Sequence, residues 1–134
     1  YGSHPAHGGL WEAAEATASD AMARLAVVPM VLEARGLDIT PMTIARYEAA
    51  GDLPTARILR RILSDEIRHV GAGTKWFEST CRIKETSPQQ AWRTLVSRHF
   101  RGVVKPPFND SARDAAGLTR EYYLALAPDG ENFP

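Results

Sequence analysis

The sequence predicts an all-α chain, and three observations carry that prediction. Apolar residues recur at three- and four-residue spacing over long stretches, which is the period of one helix face. Thr40-Pro41 and Ser87-Pro88 each have the form of an N-cap followed by proline in the first helical turn. No segment shows the period-two alternation of a half-buried strand.

The elements follow in order. Gly8 and Gly9 precede a long pattern in which Trp11, Ala14, Ala18, Met22, Leu25, Val28 and Leu32 share a face, so a helix is expected over about 10–36, stopping at Gly36 or as late as Thr40. Pro29 lies inside it and deprives the Leu25 carbonyl of its donor, which predicts a kink. Thr40-Pro41 opens a short helix ending at Gly51. Asp52 and Pro54 open a second long helix, about 54–81, and Ser87-Pro88 opens a third, about 88–100. The stretch KPPFN, from Lys105 to Asn109, reads as extended because each proline pushes its predecessor out of the helical region. Asn109 and Thr119 are candidate caps for closing helices over about 110–126, and the last residues read as a frayed tail.

Composition sets the bounds. A chain of 134 residues, 44% of them hydrophobic, is one domain or part of one. Sixteen basic residues balance sixteen acidic ones, which argues against a general polyanion binder such as a nucleic-acid protein. Cys81 is alone, so no intrachain disulfide forms, and a reducing, cytoplasmic setting is expected. The longest apolar run, Leu25 to Leu32, is too short to span a bilayer. The opening YGSHPAHGG has the composition of an internal loop, so the chain is expected to be part of something longer.

The residues with chemistry lie on the two long helices. On the second, Leu59, Ile62, Leu63, Glu66, Val70, Gly73 and Phe77 form one stripe with His69 at its margin. Glu66 and His69 are three residues apart, so their side chains leave the helix close together and can share one ion. On the first, Glu33 follows the apolar run LAVVPMVL and shares a face with Met22, Ala26, Pro29 and Met30. If the helices pack antiparallel, Glu33 meets Glu66 and His69. That set is half of the donor set of ferritin-like carboxylate bundles, in which two helices each give a Glu and two each give a Glu-x-x-His. Carboxylate-rich donors with one imidazole suit iron or manganese better than zinc. Packing offers another reading of each residue: Glu66 can pair with Arg68, Glu33 with Arg35, and His69 can be a hydrogen-bonded core histidine.

The segments PAHGGLWEAAEATA, RLAVVPMVLEARGLDITP, ILSDEIRHVGAGTKWF and KPPFN together resemble an uncharacterised family of ferritin-like proteins, from His4 to about Leu126. The resemblance implies that Glu33, Glu66 and His69 are metal ligands, and that Asp65 and Arg68 support them, the Asp orienting a ligand His. Only the second hairpin of such a bundle and its C-terminal helices are matched. The resemblance therefore implies either a missing N-terminal hairpin or a homodimer in which each copy supplies half the ligands. The function it implies is a non-haem di-iron or manganese carboxylate oxidoreductase acting with dioxygen on a substrate the sequence does not specify. The alternative is a non-catalytic helical module for dimerisation or partner binding, with a structural or vestigial metal.

Other features read as structure. His7 is expected to be a loop histidine distant from the ligands. Arg98, His99, Phe100, Arg101 and Lys105 form a small basic-aromatic cluster that reads as a solvated face. Trp11, Trp76, Phe77 and Trp92 are core candidates, while Tyr47, Tyr122 and Tyr123 carry no legible signal. Cys81 has no neighbouring cue for nucleophilic catalysis.

Overall fold

The computed structural model describes residues 3–5 and 8–127, and its described residues are helical without strands. In order the elements are α1 (Gly9–Ala16), α2 (Ala21–Val27), a π-turn (Val28–Glu33), α3 (Ala34–Ala49), α4 (Leu53–Ile83), α5 (Pro88–His99), α6 (Asp110–Ala115), α7 (Arg120–Tyr123) and a final 3₁₀ turn (Leu124–Leu126). The all-α prediction holds. None of the described helices is long and apolar enough to cross a membrane.

The first long helix differs from its expected course. It breaks between Ala16 and Ala21, where the Thr17 hydroxyl folds back onto the Ala13 carbonyl at 2.7 Å and the Asp20 carboxylate caps α2 by accepting from the Ala23 N–H at 3.0 Å. Both side chains offer the backbone an alternative to continuing the helix. Trp11 consequently stands on a detached short helix and is 70% exposed rather than in the core. Beyond the break, α2, the π-turn and α3 run on without interruption to Ala49, past Gly36 and Thr40.

Both prolines sit inside this rod. At Pro29 the chain widens into a π-turn, and the Ala34 N–H reaches the Pro29 carbonyl five residues back. A turn of that width accommodates a residue that donates no hydrogen bond. Pro41 opens no new helix. It lies within α3, and the carbonyl it leaves without a donor, that of Leu37, accepts instead from the Asn109 side-chain amide at 3.1 Å. The C-terminal segment thus repairs a defect that would otherwise end the helix.

The same segment carries a buried ion pair. Asp38, its side chain fully buried, accepts from Arg113 Nε at 2.8 Å and Nη2 at 2.7 Å, and from the Asn109 backbone N–H at 3.0 Å. The guanidinium lies 5.0 Å from the centre of the Phe108 ring and 4.4 Å from that of Tyr123. Arg35 donates to the carbonyls of Lys105 and Pro107, at 2.9 and 3.1 Å, and so holds the KPPFN stretch against α3; expected to be extended, that stretch bends at Pro106 and has a cis Pro106–Pro107 peptide bond. Asn109 also caps α6, as expected, accepting from the Ala112 N–H at 3.2 Å. The closing helices expected over 110–126 are α6 and α7, with Thr119 at the N-cap position of the second, and Gly117, with a positive φ of 74°, lies between them.

α4 begins as expected, with Asp52 accepting from the Thr55 N–H at 3.0 Å and Pro54 in the first turn. It packs antiparallel to α3. The core lies on one side of this pair, where Met30, Ala34, Leu37, Val70, Phe77 and Cys81 meet Trp92, Leu118, Tyr122 and Tyr123. Trp92 also donates to the Ala26 carbonyl at 3.2 Å, tying α5 to α2.

Two predictions follow from this core. Asp38→Ala leaves the Arg113 charge buried and unpaired and should cost about 3–5 kcal/mol in urea denaturation; replacing Asp38 and Arg113 together by Leu and Met should recover most of it. The phenols of Tyr122 and Tyr123 are pushed above their ordinary value of 10, first by burial and then by donating to Glu78 and Asp110, each at 2.7 Å. Their neutral forms favour the fold, so this stabilisation is complete below pH 10 and is lost as pH rises beyond it. The denaturation midpoint should therefore fall above pH 10, and Tyr122→Phe should blunt that fall.

Candidate metal centre

The antiparallel pairing of α3 and α4 brings together the three residues singled out on the two helices. Glu33 is the last residue of the π-turn, and Glu66 and His69 occupy adjacent turns of α4. One ligand atom from each lies within 4.8 Å of the others, and His69 Nδ1 is 3.4 Å from Glu66 Oε2. Two carboxylates and one imidazole converge on a space the size of a cation. Three protein ligands would leave coordination positions open.

The environment is wetter than the sequence stripe suggested. Glu33 and Glu66 are half-buried, and the His69 side chain is 59% exposed. The stripe on α4 is buried only in its C-terminal half, at Val70, Gly73 and Phe77; Ile62 is 44% exposed and Trp76, an expected core residue, 65%. The reason is geometric. The residues of α4 that are buried belong to the core shared with the C-terminal helices, whereas Ile58, Ile62, His69 and Trp76, on another side of α4, are exposed. Phe77 and Trp92 are buried as expected.

The alternative pairings raised by the sequence are not the ones formed. Arg68 and Arg61 both donate to Asp65, the latter at 3.1 Å, and their hydrogen bonds hold the Asp65 carboxyl below its ordinary range. Asp65 and Arg68 thus engage each other on the outer side of α4, and Asp65 holds guanidinium groups here rather than the His69 ring. Arg35 is turned toward the 105–107 backbone and Asp38. Glu33 makes no hydrogen bond or ion pair with a described residue. Its carboxyl is raised above the ordinary 4.5, first by burial and next by the Glu66 carboxylate, while the nearby imidazole opposes the shift. A bound cation would remove both costs at once, so the donor set fits a metal.

His7 lies outside the described residues. Arg98, Arg101 and Lys105 are exposed, as a solvated face would be. The most heavily buried charges, Asp38 and Arg113, escaped the sequence reading. The criterion that found Glu33 would have found Asp38, a charge four residues after Ala34 on the same apolar face. Arg113, in the polar run NDSARD, offered no such signal. Tyr122 and Tyr123 were likewise illegible and proved to be core.

Residues 1–124 match the family described as "Protein of unknown function (DUF455)". The chain is also similar to an uncharacterized protein of Haemophilus influenzae, 39% identical over 120 residues. That alignment covers 90% of this chain and 42% of the Haemophilus protein, so the chain spans less than half the length of the curated relative it matches. No solved structure matches it.

The raised Glu33 carboxyl has a direct consequence for the metal-free chain. Its protonated form favours the folded state, so this group adds stability as pH falls through its raised value toward 4.5 and withdraws it as pH rises again. Glu33→Gln, which cannot titrate, should therefore gain less in urea midpoint than the parent chain as pH is lowered from neutral toward 4.5.

Proposed function

The chain belongs to the DUF455 family, and from that premise and the meeting of Glu33, Glu66 and His69 we propose that it is a metal-binding, ferritin-like protein of the non-haem di-iron or manganese carboxylate type. The observation that supports this reading most is the convergence of the three donor atoms within 4.8 Å, with the Glu33 carboxylate otherwise unpaired among described residues. The carboxylate-rich set favours iron or manganese. When bound, such a metal supplies open coordination positions and redox chemistry with dioxygen, and the protein is then an oxidoreductase on an organic substrate.

The chain's own residues have distinct parts in this scheme. Glu33 and Glu66 supply the negative charge that holds the cation, and His69 supplies the nitrogen donor from the next turn of α4. The π-turn sets where Glu33 is presented. The exposed side must be covered to keep water from the centre, because His69 stands largely in solvent in the single chain. A second helical hairpin bearing the same donors, from another copy or from a longer protein, would complete the ferritin-like set.

The exposure of Ile58, Ile62 and Trp76 along α4 favours a second reading. A helix face this apolar is unusual on a free surface. It is the face of a non-catalytic dimerisation or partner-binding module, in which the metal is structural or vestigial.

Metal analysis separates these readings from the absence of a centre. Protein purified without chelator should carry about one iron or manganese per chain when half-sites pair. Glu66→Ala should reduce this to background with the helical content unchanged. Full retention of metal by that variant would remove Glu66 from the ligand set. Dioxygen consumption by the reduced iron form would select the oxidoreductase over the structural module.

A further inference from the structure

Gly73 is buried in the middle of α4, where glycine costs about 1 kcal/mol relative to alanine. Its φ is ordinary, so helix conformation does not explain it. Space does. A Cβ built on Gly73 would lie 2.5 Å from Cγ and 2.6 Å from Cβ of Pro29, distances that real Cβ atoms do not reach. The proline ring is seated directly on the bare backbone of α4, and ring atoms cannot swing aside as a flexible side chain would.

This contact falls in register with the candidate centre. Pro29 precedes Glu33 by four residues, and Gly73 follows His69 by four. On antiparallel helices the two pairs therefore lie one turn apart along the same seam. Pro29 is also the residue whose carbonyl closes the wide turn onto the Ala34 N–H, immediately after Glu33. One residue thus sets both the separation of the two helices and the turn that presents the carboxylate. Gly71, two residues earlier in α4, makes no such demand: a Cβ there would sit 3.6 Å from the Ala116 carbonyl oxygen, an ordinary contact.

We propose that Pro29 and Gly73 form a spacer that positions Glu33 against Glu66 and His69 for metal binding. This rests on the metal reading above and adds to it two residues that touch no metal. Any side chain at 73 pushes the π-turn away from α4. Removal of the ring at 29 leaves the two helices free to settle closer or to slide. Both errors misplace the Glu33 carboxylate by a fraction of a side chain, and ligand sets lose affinity at displacements of about half an ångström.

The test is a complementation cycle read by Mn(II) binding, with free Mn(II) followed by electron paramagnetic resonance. Gly73→Ala and Pro29→Gly should each weaken binding on the order of 10–100-fold, the loss typical when the support of a ligand is removed. The double variant, with the small residue moved to the other helix, should bind more tightly than either single one. Gly71→Ala, with the same gain in helix propensity, should bind as the parent does. A folded Gly73→Ala chain with parental affinity, or a double variant no better than the weaker single, would overturn the spacer. A second arm needs no metal: with Glu33→Cys and Glu66→Cys installed together, disulfide formation should be fast with Gly73 and slowed by Gly73→Ala. If the parent chain binds no Mn(II), the metal reading fails, and this cross-linking rate alone decides the spacer, equal rates sinking it.

Discussion

The buried contact between Asp38 and Arg113 is the constraint on which the rest of the structure depends. A fully buried carboxylate is tolerable only with its lone pairs satisfied, and here a bidentate guanidinium and the Asn109 N–H satisfy them. That requirement determines where the C-terminal segment runs. It brings Asn109 over α3, where the amide takes the Leu37 carbonyl that Pro41 leaves free. It also brings the guanidinium against the Phe108 and Tyr123 rings, which pack on each other with centroids 4.7 Å apart. A rod containing two prolines stays continuous because another part of the chain completes its hydrogen bonds.

Continuity of that rod matters to the candidate centre. Glu33 is at the end of the π-turn, with Pro29 seated on Gly73 before it and Asp38 anchored after it. The carboxylate is held from both sides by contacts that do not involve its own charge. On α4, Glu66 and His69 need only helical spacing to stand together. The two halves of the constellation therefore have different origins: one is local in sequence, and the other depends on a tertiary contact one turn away.

The one-sided core explains the electrostatics of the centre. Trp92, Tyr122 and Tyr123 lie in the core with Leu37, Val70 and Phe77, whereas Glu66 and His69 stand on α4 with the exposed Ile62 and Trp76. Partial burial is enough to raise the Glu33 carboxyl, and the nearness of Glu66 adds to the shift.

Much of this was legible in the residues. Caps at Asp52, Ser87 and Asn109 marked real helix starts because a side-chain oxygen beside free N–H groups acts locally. Glu66 and His69 were legible as a pair for the same reason, since their meeting needs nothing beyond one helix. The course of the first rod was not legible. Whether Pro29 kinks a helix or widens it, and whether Pro41 starts a helix or sits within one, depends on donors from Asn109 and on packing against Gly73, more than thirty residues away in sequence. The exposure of Trp11 and Trp76 was hidden likewise, because periodicity names a face without saying what covers it. Local hydrogen bonding and side-chain spacing thus determined the helices and half of the constellation, and long-range packing alone decided how they join.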